Sequence, residues 1–355
     1  MNLLEGLNEK QKEAVKQIDG PVLILAGAGS GKTKTLTHRI AYLIQNGISP
    51  YNILAVTFTN KAAKEMRERV AGLLAENAAN RSFMPYMGTF HSICVRILRQ
   101  DGENIGIPKN FVIFDESDRQ SAIKQACKQL FIDEKQFKPS SIGGMISSAK
   151  NELISPEEYA STATLPAQKV TAQIFPLYQR SLQEAGALDF DDLIGRTVSM
   201  LSNHKELREK WANQFEHIMI DEYQDTNNAQ YKLIKMLTNK NQNLCVVGDD
   251  WQSIYSWRGA DFRNILNFER DYPKSTITKL EENYRSTKNI LDAAHMVITK
   301  NEQRSDKELW TKAGPGSPVQ IIQVQSEGHE GESIVTKIKT QVDMRLRPFS
   351  DFAVL

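Results

Sequence analysis

A glycine-rich segment at residues 26–33, with the sequence AGAGSGKT, carries the strongest chemical signal in this chain. It follows an apolar run and opens a helical pattern, which is the setting of a P-loop rather than of a turn that binds nothing. Its backbone N–H groups can approach phosphate closely, and Lys32 and the Thr33 hydroxyl suit the β/γ-phosphates and Mg²⁺. We therefore predict that nucleotide is bound by Ala28, Gly29, Ser30, Gly31, Lys32, Thr33 and Lys34.

A second chemical signal is the pair of acids, Asp221 and Glu222, that ends the apolar run at residues 218–220. Asp221 is expected to hold Mg²⁺, directly or through water, and Glu222 to polarise the attacking water. An acidic pair after a strand is by itself a weak signal, because a strand ending in a solvated turn looks the same. The P-loop upstream makes the catalytic interpretation the better one.

Both signals need parallel strands to bring them to one edge of a sheet. Apolar runs at residues 22–25 and 53–57 alternate with helical patterns at 32–45 and 60–74, and similar runs recur at 217–220, 244–247 and 276–280. Alternation of this kind predicts an α/β fold with a parallel sheet. Residues 109–187 are mostly helical in pattern and predict an insertion. Further strands are expected at 319–324 and 352–355.

Bulk composition restricts the class of protein without fixing the partner. The chain has 355 residues, a formal net charge of +1 and 40% hydrophobic residues, which suits a soluble protein with two or three domains. Cys94, Cys127 and Cys245 have no zinc or disulfide spacing, so a cytoplasmic location is expected. The N-terminus lacks a signal-peptide pattern, and no apolar run approaches the roughly 20 residues of a membrane span, so no membrane partner is expected.

Seven short motifs in order give the chain a family resemblance. They are LNEKQ (7–11), TFTNKAA (57–63), GTFHS (88–92), DFDDL (189–193), DEYQD (221–225), GDDWQSIYSWRGA (248–260) and ENYRS (282–286). Together they resemble the UvrD/PcrA/Rep group of superfamily-one helicases over essentially the whole chain. Two positions depart from the family pattern, Ala26 at the first P-loop position and Tyr223 where most relatives have alanine.

The resemblance implies an ATP-dependent DNA helicase with ATP and Mg²⁺ as cofactors and 3′→5′ polarity. It implies that Gln11 reads adenine and that Tyr284 stacks on it, while Arg285 and Arg258 are candidate γ-phosphate sensors. Gln252 is a candidate relay to the attacking water. Arg39 either faces the nucleotide or is a solvated helix arginine. The catalytic set is then Lys32, Asp221, Glu222, Gln252 and Arg285.

The resemblance also implies a track for single-stranded DNA and contacts at duplex junctions. Exposed aromatic rings can stack on unpaired bases, and small polar side chains can bind phosphate without reading sequence. Packing at a domain hinge is the alternative role for Phe58, Tyr255 and Trp257, and a structural role is the alternative for His91. The predicted DNA contacts are Thr57, Phe58, Asn60, Lys61, Thr89, Phe90, His91, Tyr255, Trp257 and Arg258.

The expected architecture is a RecA-like P-loop NTPase lobe formed by residues 1–108 and 188–275, with a helical insertion domain at 109–187. Residues 276–355 are expected to start a second RecA-like lobe. The family's later motifs are absent, so we expect a truncated motor with weak or no activity by itself, serving DNA repair or replication restart. The motor of a helicase–nuclease or defence system, or a non-catalytic binding fragment, is the alternative.

Overall fold

A parallel sheet forms the centre of the molecule, in a computed structural model that describes residues 2–80, 82–302 and 304–355 but not the side chain of Arg258. The strands are β1 (Val22–Ala26), β2 (Ile53–Thr57), β3 (Met87–Thr89), β4 (Val112–Ile113), β5 (Ala187–Leu188), β6 (His217–Ile220), β7 (Leu244–Gly248) and β8 (Thr276–Leu280). Six of them form the main sheet in the order β3-β2-β6-β7-β1-β8. Every pairing in it is parallel, as the strand–helix alternation predicts.

Helices cover both faces of this sheet. They are α1 (Glu9–Lys16), α2 (Lys32–Gln45), α3 (Asn60–Leu74), α4 (Phe90–Asp101), α5 (Glu116–Gln129), α6 (Pro139–Asn151), α7 (Pro156–Thr162), α8 (Pro166–Glu184), α9 (Phe190–Asn203), α10 (Lys205–Gln214), α11 (Asn228–Leu237), α12 (Arg263–Leu266), α13 (Phe268–Asp271), α14 (Lys288–Ile298) and α15 (Glu327–Asp343). Within the described residues, no helix is both long enough and apolar enough to cross a membrane.

Strand β1 shows why the sheet is buried on both faces. Its side chains alternate, as the two-residue period of a strand requires. Ile24 packs with Leu36 of α2 in one core, and Leu23 packs with Leu233 of α11 in the other. Each fully buried aliphatic side chain contributes about 1.5–3 kcal/mol to folding. This two-sided packing fixes the end of β1, and therefore the loop that follows it.

The helices α5 to α8 pack around an apolar core of their own, built on residues such as Ile123, Ile146 and Tyr178. The chain enters and leaves this region side by side, because Val112 pairs with Ala187 in a short parallel ladder. Lys150 Nζ lies 2.7 Å from Asp189 Oδ2 and 3.0 Å from Asp192 Oδ2, which ties α6 to the start of α9. The helical character of residues 109–187 is confirmed, and the domain boundaries themselves stay a prediction.

The chain beyond β8 differs from the sequence-based expectation. The described residues of 319–324 and 352–355 form no strand, although both segments are rich in apolar residues. A strand needs a neighbouring strand for its backbone hydrogen bonds, and these segments have no such ladder within the described chain. The predicted strands there are wrong. Trp310, by contrast, forms a parallel bridge with Glu282, just after β8.

Candidate active site and nucleic-acid interface

The phosphate-binding loop lies between the end of β1 and the start of α2, as predicted. Gly29 and Gly31 both adopt a left-handed backbone, with φ of 70° and 87°. Gly31 has no side chain to cap α2, so the first N–H groups of the helix are left for a bound anion. A Cβ on Gly29 would lie 2.7 Å from Cβ of Arg285, and a Cβ on Gly31 would lie 2.7 Å from Nε2 of Gln11. Glycine is therefore required at both positions.

A cavity of about 340 Å³ opens beside this loop, and we call it the nucleotide cavity. It gathers most of the predicted catalytic and phosphate-binding residues, although they come from distant parts of the chain. Its lining consists of Ala28, Gly29, Gly31, Lys32, Thr33, Lys34, Ala62, Glu65, Arg69, Asp221, Glu222, Gln252 and Arg285. Ser30 is buried behind it, where its hydroxyl donates to the carbonyl of Gly27 at 2.7 Å.

Glu222 is the centre of the polar contacts in this cavity. Lys32 Nζ and Gln224 Nε2 each donate to Glu222 Oε2 at 2.9 Å. The backbone of Glu222 is left-handed, with φ of 49°, a conformation that non-glycine residues adopt rarely and mostly where function needs it. This turn at the end of β6 directs the carboxylate toward the phosphate-binding loop.

Asp221 is buried beside Glu222, and its electrostatics suit a metal ligand. Burial, followed by the charge of Glu222, raises the pKa of Asp221 to about 7, while Lys32 opposes the shift. Thr33 and Asp221 offer hydroxyl and carboxylate oxygens to the same cavity, which are donors that Mg²⁺ accepts. The described residues contain no cluster of three acidic, histidine or cysteine side chains that could hold a metal alone. Nucleotide phosphates would have to complete the coordination.

The predicted adenine-binding residues lie at the junction of α1, the loop and the segment after β8. Gln11 Nε2 donates to the Ser30 carbonyl at 2.9 Å, and its Oε1 accepts from the N–H of Asn8 at 3.1 Å. The Tyr284 hydroxyl accepts from Asn8 Nδ2 at 2.8 Å, and the Tyr284 N–H donates to the carbonyl of Gly29 at 2.9 Å. The segment 282–285 is thus docked on the loop. Contacts of Gln11 and Tyr284 with adenine stay predictions.

The interpretation of Arg39 needs correction. Its side chain is 1% exposed, so it is not a solvated helix arginine, and it does not line the cavity. The guanidinium donates to the carbonyls of Ala14 at 2.7 Å and Ile18 at 3.2 Å. Arg39 therefore fastens α2 to the end of α1. This role depends on how the two helices cross, which the sequence pattern does not show.

Two charged residues of this cavity were missed by sequence reasoning. Glu65 and Arg69, one helical turn apart on α3, form an ion pair and both line the nucleotide cavity. Arg69 is close enough to Asp221 to oppose the rise in its pKa. In the sequence the two residues resemble an ordinary solvated i,i+4 pair, so only their position beside the loop distinguishes them.

A second cavity, a groove of about 570 Å³, lies between the sheet and the helices α5 and α6. It brings together four predicted DNA-binding residues from three parts of the chain. Its lining consists of Phe58, Thr59, His91, Arg119, Gly144, Ser147, Ser148, Asn151, Asp191, Asp225, Asn227, Gln230, Tyr255, Trp257 and Gly259. Trp257 is 72% exposed, and its ring centroid lies 6.4 Å from that of Tyr255. The two rings form an aromatic wall.

Other predicted DNA contacts have structural roles instead. Phe90 is buried in the core, with its ring centroid 5.9 Å from that of Phe58, so it cannot stack on a base. The Thr57 hydroxyl donates to the carbonyl of Thr59 at 3.1 Å, and Thr89 caps α4 by accepting from the N–H of Ser92 at 3.2 Å. Both threonine side chains are buried because they end core strands. These three assignments are corrected.

Two further candidates, Asn60 and Lys61, do not line the groove. Asn60 and Lys61 are exposed at the start of α3. The side chain of Arg258 lies outside the described part of the structure, so neither of its predicted roles can be placed. Phe190, which sequence reasoning left unassigned within DFDDL, is 52% exposed, and its ring centroid lies 5.6 Å from that of His91. The signal in the sequence that could have identified Phe190 was an aromatic residue within a recognised motif.

Comparison with known proteins agrees with this geometry. A sequence model of the UvrD/REP helicase N-terminal domain matches residues 7–273, and one of the UvrD-like helicase C-terminal domain matches residues 278–355. The ATP-dependent DNA helicase PcrA of Leuconostoc citreum is 48% identical over 354 residues, which are 99% of this chain and 47% of that protein. The PcrA of Bacillus subtilis (strain 168) is 50% identical, with 99% of this chain and 47% of the relative covered. The chain spans about half the length of the curated relatives it matches.

Proposed function

This chain belongs to the UvrD/Rep helicase family, and we propose that it binds and hydrolyses ATP to drive movement along single-stranded DNA. The observation that carries the proposal is that three segments each line both cavities. On and before α3, Phe58 and Thr59 line the groove while Glu65 and Arg69 line the nucleotide cavity. In the second segment Asp225 lines the groove and Asp221 lines the nucleotide cavity. In the third segment Trp257 lines the groove and Gln252 lines the nucleotide cavity. We propose that a shift at one cavity is transmitted to the other through these short connecting segments.

In the nucleotide cavity we assign the chemistry to residues that touch or face the phosphates. Lys32 and Arg285 neutralise charge that develops on the transferred phosphoryl group, and Glu222 accepts a proton from the attacking water. Thr33 and Asp221 would hold Mg²⁺, which neutralises the β- and γ-phosphate oxygens when bound. Gln252 orients the water or the γ-phosphate. Gln11 and Tyr284 bind the adenine end.

In the groove we assign base stacking to Trp257, Tyr255, Phe58 and Phe190, with His91 beside them. Stacking contributes roughly 1–3 kcal/mol per base and tolerates every base, so little sequence preference is expected. Asn60 and Lys61 contact the DNA backbone near the groove mouth. From the family we infer 3′→5′ polarity, action at duplex junctions, a cytoplasmic location and a role in repair or replication restart. A helicase–nuclease or defence motor is the competing assignment.

The domain division proposed from the sequence also fits this arrangement. Residues 1–108 and 188–275 would form the motor lobe, 109–187 the helical insertion that forms one wall of the groove, and 276–355 the start of a second lobe. Arg285 would then enter the nucleotide cavity from the second lobe. The rate of hydrolysis would then depend on the relative position of the two lobes, because that position determines whether Arg285 reaches the cavity.

The test is ATP hydrolysis by this chain with and without an oligo-dT strand, compared with Glu222→Gln. DNA-stimulated hydrolysis that the substitution abolishes, with nucleotide binding retained, would support a coupled motor. Nucleotide binding should require Lys32. A folded chain that binds neither ATP nor single-stranded DNA would contradict the proposal, and circular dichroism of both proteins would establish that they are folded.

A further inference from the structure

Lys307, in the segment between α14 and α15, is buried against the turn that follows β7. Its Nζ pairs with Asp249 and lies 2.8 Å from Asp250 Oδ1. The same ammonium lies 4.6 Å from the centroid of the Trp251 ring. Lysine is seldom buried unless it is paired, and this side chain has 0% exposure. The contact is therefore built into the fold, unlike a surface ion pair.

Ser305 strengthens the same contact. Its hydroxyl donates to Asp250 Oδ1 at 2.6 Å, its N–H donates to the same carboxylate, and its carbonyl accepts from Trp251 Nε1 at 3.2 Å. Burial opposes ionisation of Asp250, but the charge and hydrogen bond of Lys307, with the bonds from Ser305, hold its pKa below the usual range. The segment 305–307 thus clamps the turn with charged, directional bonds.

From this turn, hydrogen bonds continue into the nucleotide cavity. The carboxylate of Asp249 accepts from the side-chain amide of Gln252. The Asp249 N–H donates to Gln224 Oε1 at 2.9 Å, and Gln224 Nε2 donates to Glu222 Oε2 at 2.9 Å. Gln252 and Glu222 both line the cavity. Lys307 is therefore joined to the proposed catalytic carboxylate through Asp249 and Gln224.

We propose that Lys307 is a positioning residue for ATP hydrolysis. By fixing Asp249, it orients the amide of Gln252 and, through Gln224, the carboxylate of Glu222. A displacement of about 1 Å at such groups can cost roughly 100-fold in rate. Lys307 follows β8, so a displacement of the segment 305–307 would also displace Gln252 and Glu222 through these bonds. The inference rests on the proposed ATP hydrolysis.

The experiment compares Lys307→Met with the wild-type chain in single-turnover ATP hydrolysis with oligo-dT, and in binding of a fluorescent ADP. Methionine keeps an apolar stem of similar length and removes only the charged donor. We expect the hydrolysis rate constant to fall about 10- to 100-fold while the ADP dissociation constant stays unchanged. Lys300→Met, an exposed lysine in the same part of the chain, is the matched control and should match the wild type.

A second variant separates positioning from simple charge balance. Lys307→Met leaves two buried carboxylates unpaired and can lower stability, whereas adding Asp250→Asn restores the cluster's net charge of minus one. We expect the double variant to regain stability but not the hydrolysis rate. Recovery of the rate together with stability would overturn the inference, as would an unchanged rate in a folded Lys307→Met protein. If the folded wild-type protein neither binds nor hydrolyses ATP, the proposed function itself is contradicted, independently of the role of Lys307.

Discussion

Lys32 Nζ lies 2.9 Å from Glu222 Oε2, so the lysine of the phosphate-binding loop and the proposed catalytic carboxylate are in direct contact. Two loops that are far apart in sequence meet at this pair, because β1 and β6 are separated in the sheet only by β7. In the proposed mechanism the lysine serves two partners, the carboxylate of Glu222 and the phosphates of a bound nucleotide.

Replacing Lys32 by methionine should weaken ATP binding. A charge-assisted hydrogen bond contributes about 1.5–3 kcal/mol, so the dissociation constant is expected to rise roughly 10- to 150-fold. Titration of a fluorescent ATP analogue measures it. Lys64→Met is the control, because the Lys64 side chain is 79% exposed and does not line the nucleotide cavity. An equal effect of both substitutions would contradict a special role for Lys32.

Metal-dependent hydrolysis should fall as the pH drops through about 7. The pKa of Asp221 is raised to about 7, so below that pH its carboxyl is protonated and cannot ligate Mg²⁺. The rate of ATP hydrolysis at saturating nucleotide, measured between pH 6 and pH 8.5, tests this. A Mg²⁺ titration at each pH should recover part of the lost rate, because metal competes with the proton. A rate independent of both pH and Mg²⁺ would be inconsistent with this assignment.

The same pKa makes a prediction about stability without metal. The folded chain holds a proton on Asp221 between about pH 4 and pH 7 that the unfolded chain releases, so stability decreases as the pH rises through this window. Asp221→Asn should remove this loss and raise the unfolding free energy at pH 8, in EDTA, by an amount on the order of 1–3 kcal/mol. Urea denaturation at pH 5 and pH 8 measures it. A destabilised variant at pH 8 would refute it.

Single-stranded DNA should bind more tightly at pH 5.5 than at pH 7.5. Burial and neighbouring carboxylates raise the pKa values of Asp191 and Asp225 to about 6, and both residues line the groove. Losing one negative charge near a phosphate favours binding by about 1 kcal/mol, or roughly fivefold. Burial lowers the pKa of His91, which reduces the contribution of this histidine to the effect. Fluorescence anisotropy at constant salt measures it, and Asp191→Asn with Asp225→Asn should flatten the pH dependence.

Trp257→Ala should weaken DNA binding without unfolding the chain. Loss of a stacked ring costs about 1–3 kcal/mol, which is roughly a 5- to 150-fold increase in the dissociation constant. Phe131→Ala is the matched control, because Phe131 is 96% exposed and does not line the groove. Anisotropy with oligo-dT and thermal melting of both variants give the comparison. Equal DNA affinity of the two variants would show that Trp257 packs rather than stacks.

Gly29→Ala should disrupt the docking of the segment 282–285 on the phosphate-binding loop. The new Cβ would meet Arg285 at 2.7 Å, in addition to left-handed strain of about 1–2 kcal/mol. Gly20→Ala is the control, since Gly20 has φ of 78° but nothing within 4 Å of an added Cβ. Both variants should lose similar stability from strain. Only Gly29→Ala should also lose ATP hydrolysis. A similar loss of hydrolysis in both variants would show that docking of the segment 282–285 is not needed for it.

Several elements were predictable because their signals are local. The apolar runs of β1, β2 and β6 and the helix at Lys32–Gln45 all depend on neighbouring residues, and the structure confirms them. Residues 319–324 were not predictable in this way. Their apolar pattern suits a strand, but a strand also needs a hydrogen-bonding neighbour, which a sequence pattern does not supply.

The sequence by itself determined the types of the reactive groups and the strand ends that carry them, because a P-loop and an acidic pair are short contiguous patterns. Only the tertiary structure decided which side chains face a cavity. Arg39 and Phe90 were buried by the packing of α2 and α4, whereas the fold brought Arg69 to the nucleotide cavity, Phe190 beside His91 and Lys307 against Asp249. The reason is physical. Burial and proximity depend on how helices that are distant in the chain pack together. A local sequence pattern does not show which of these distant residues come into contact.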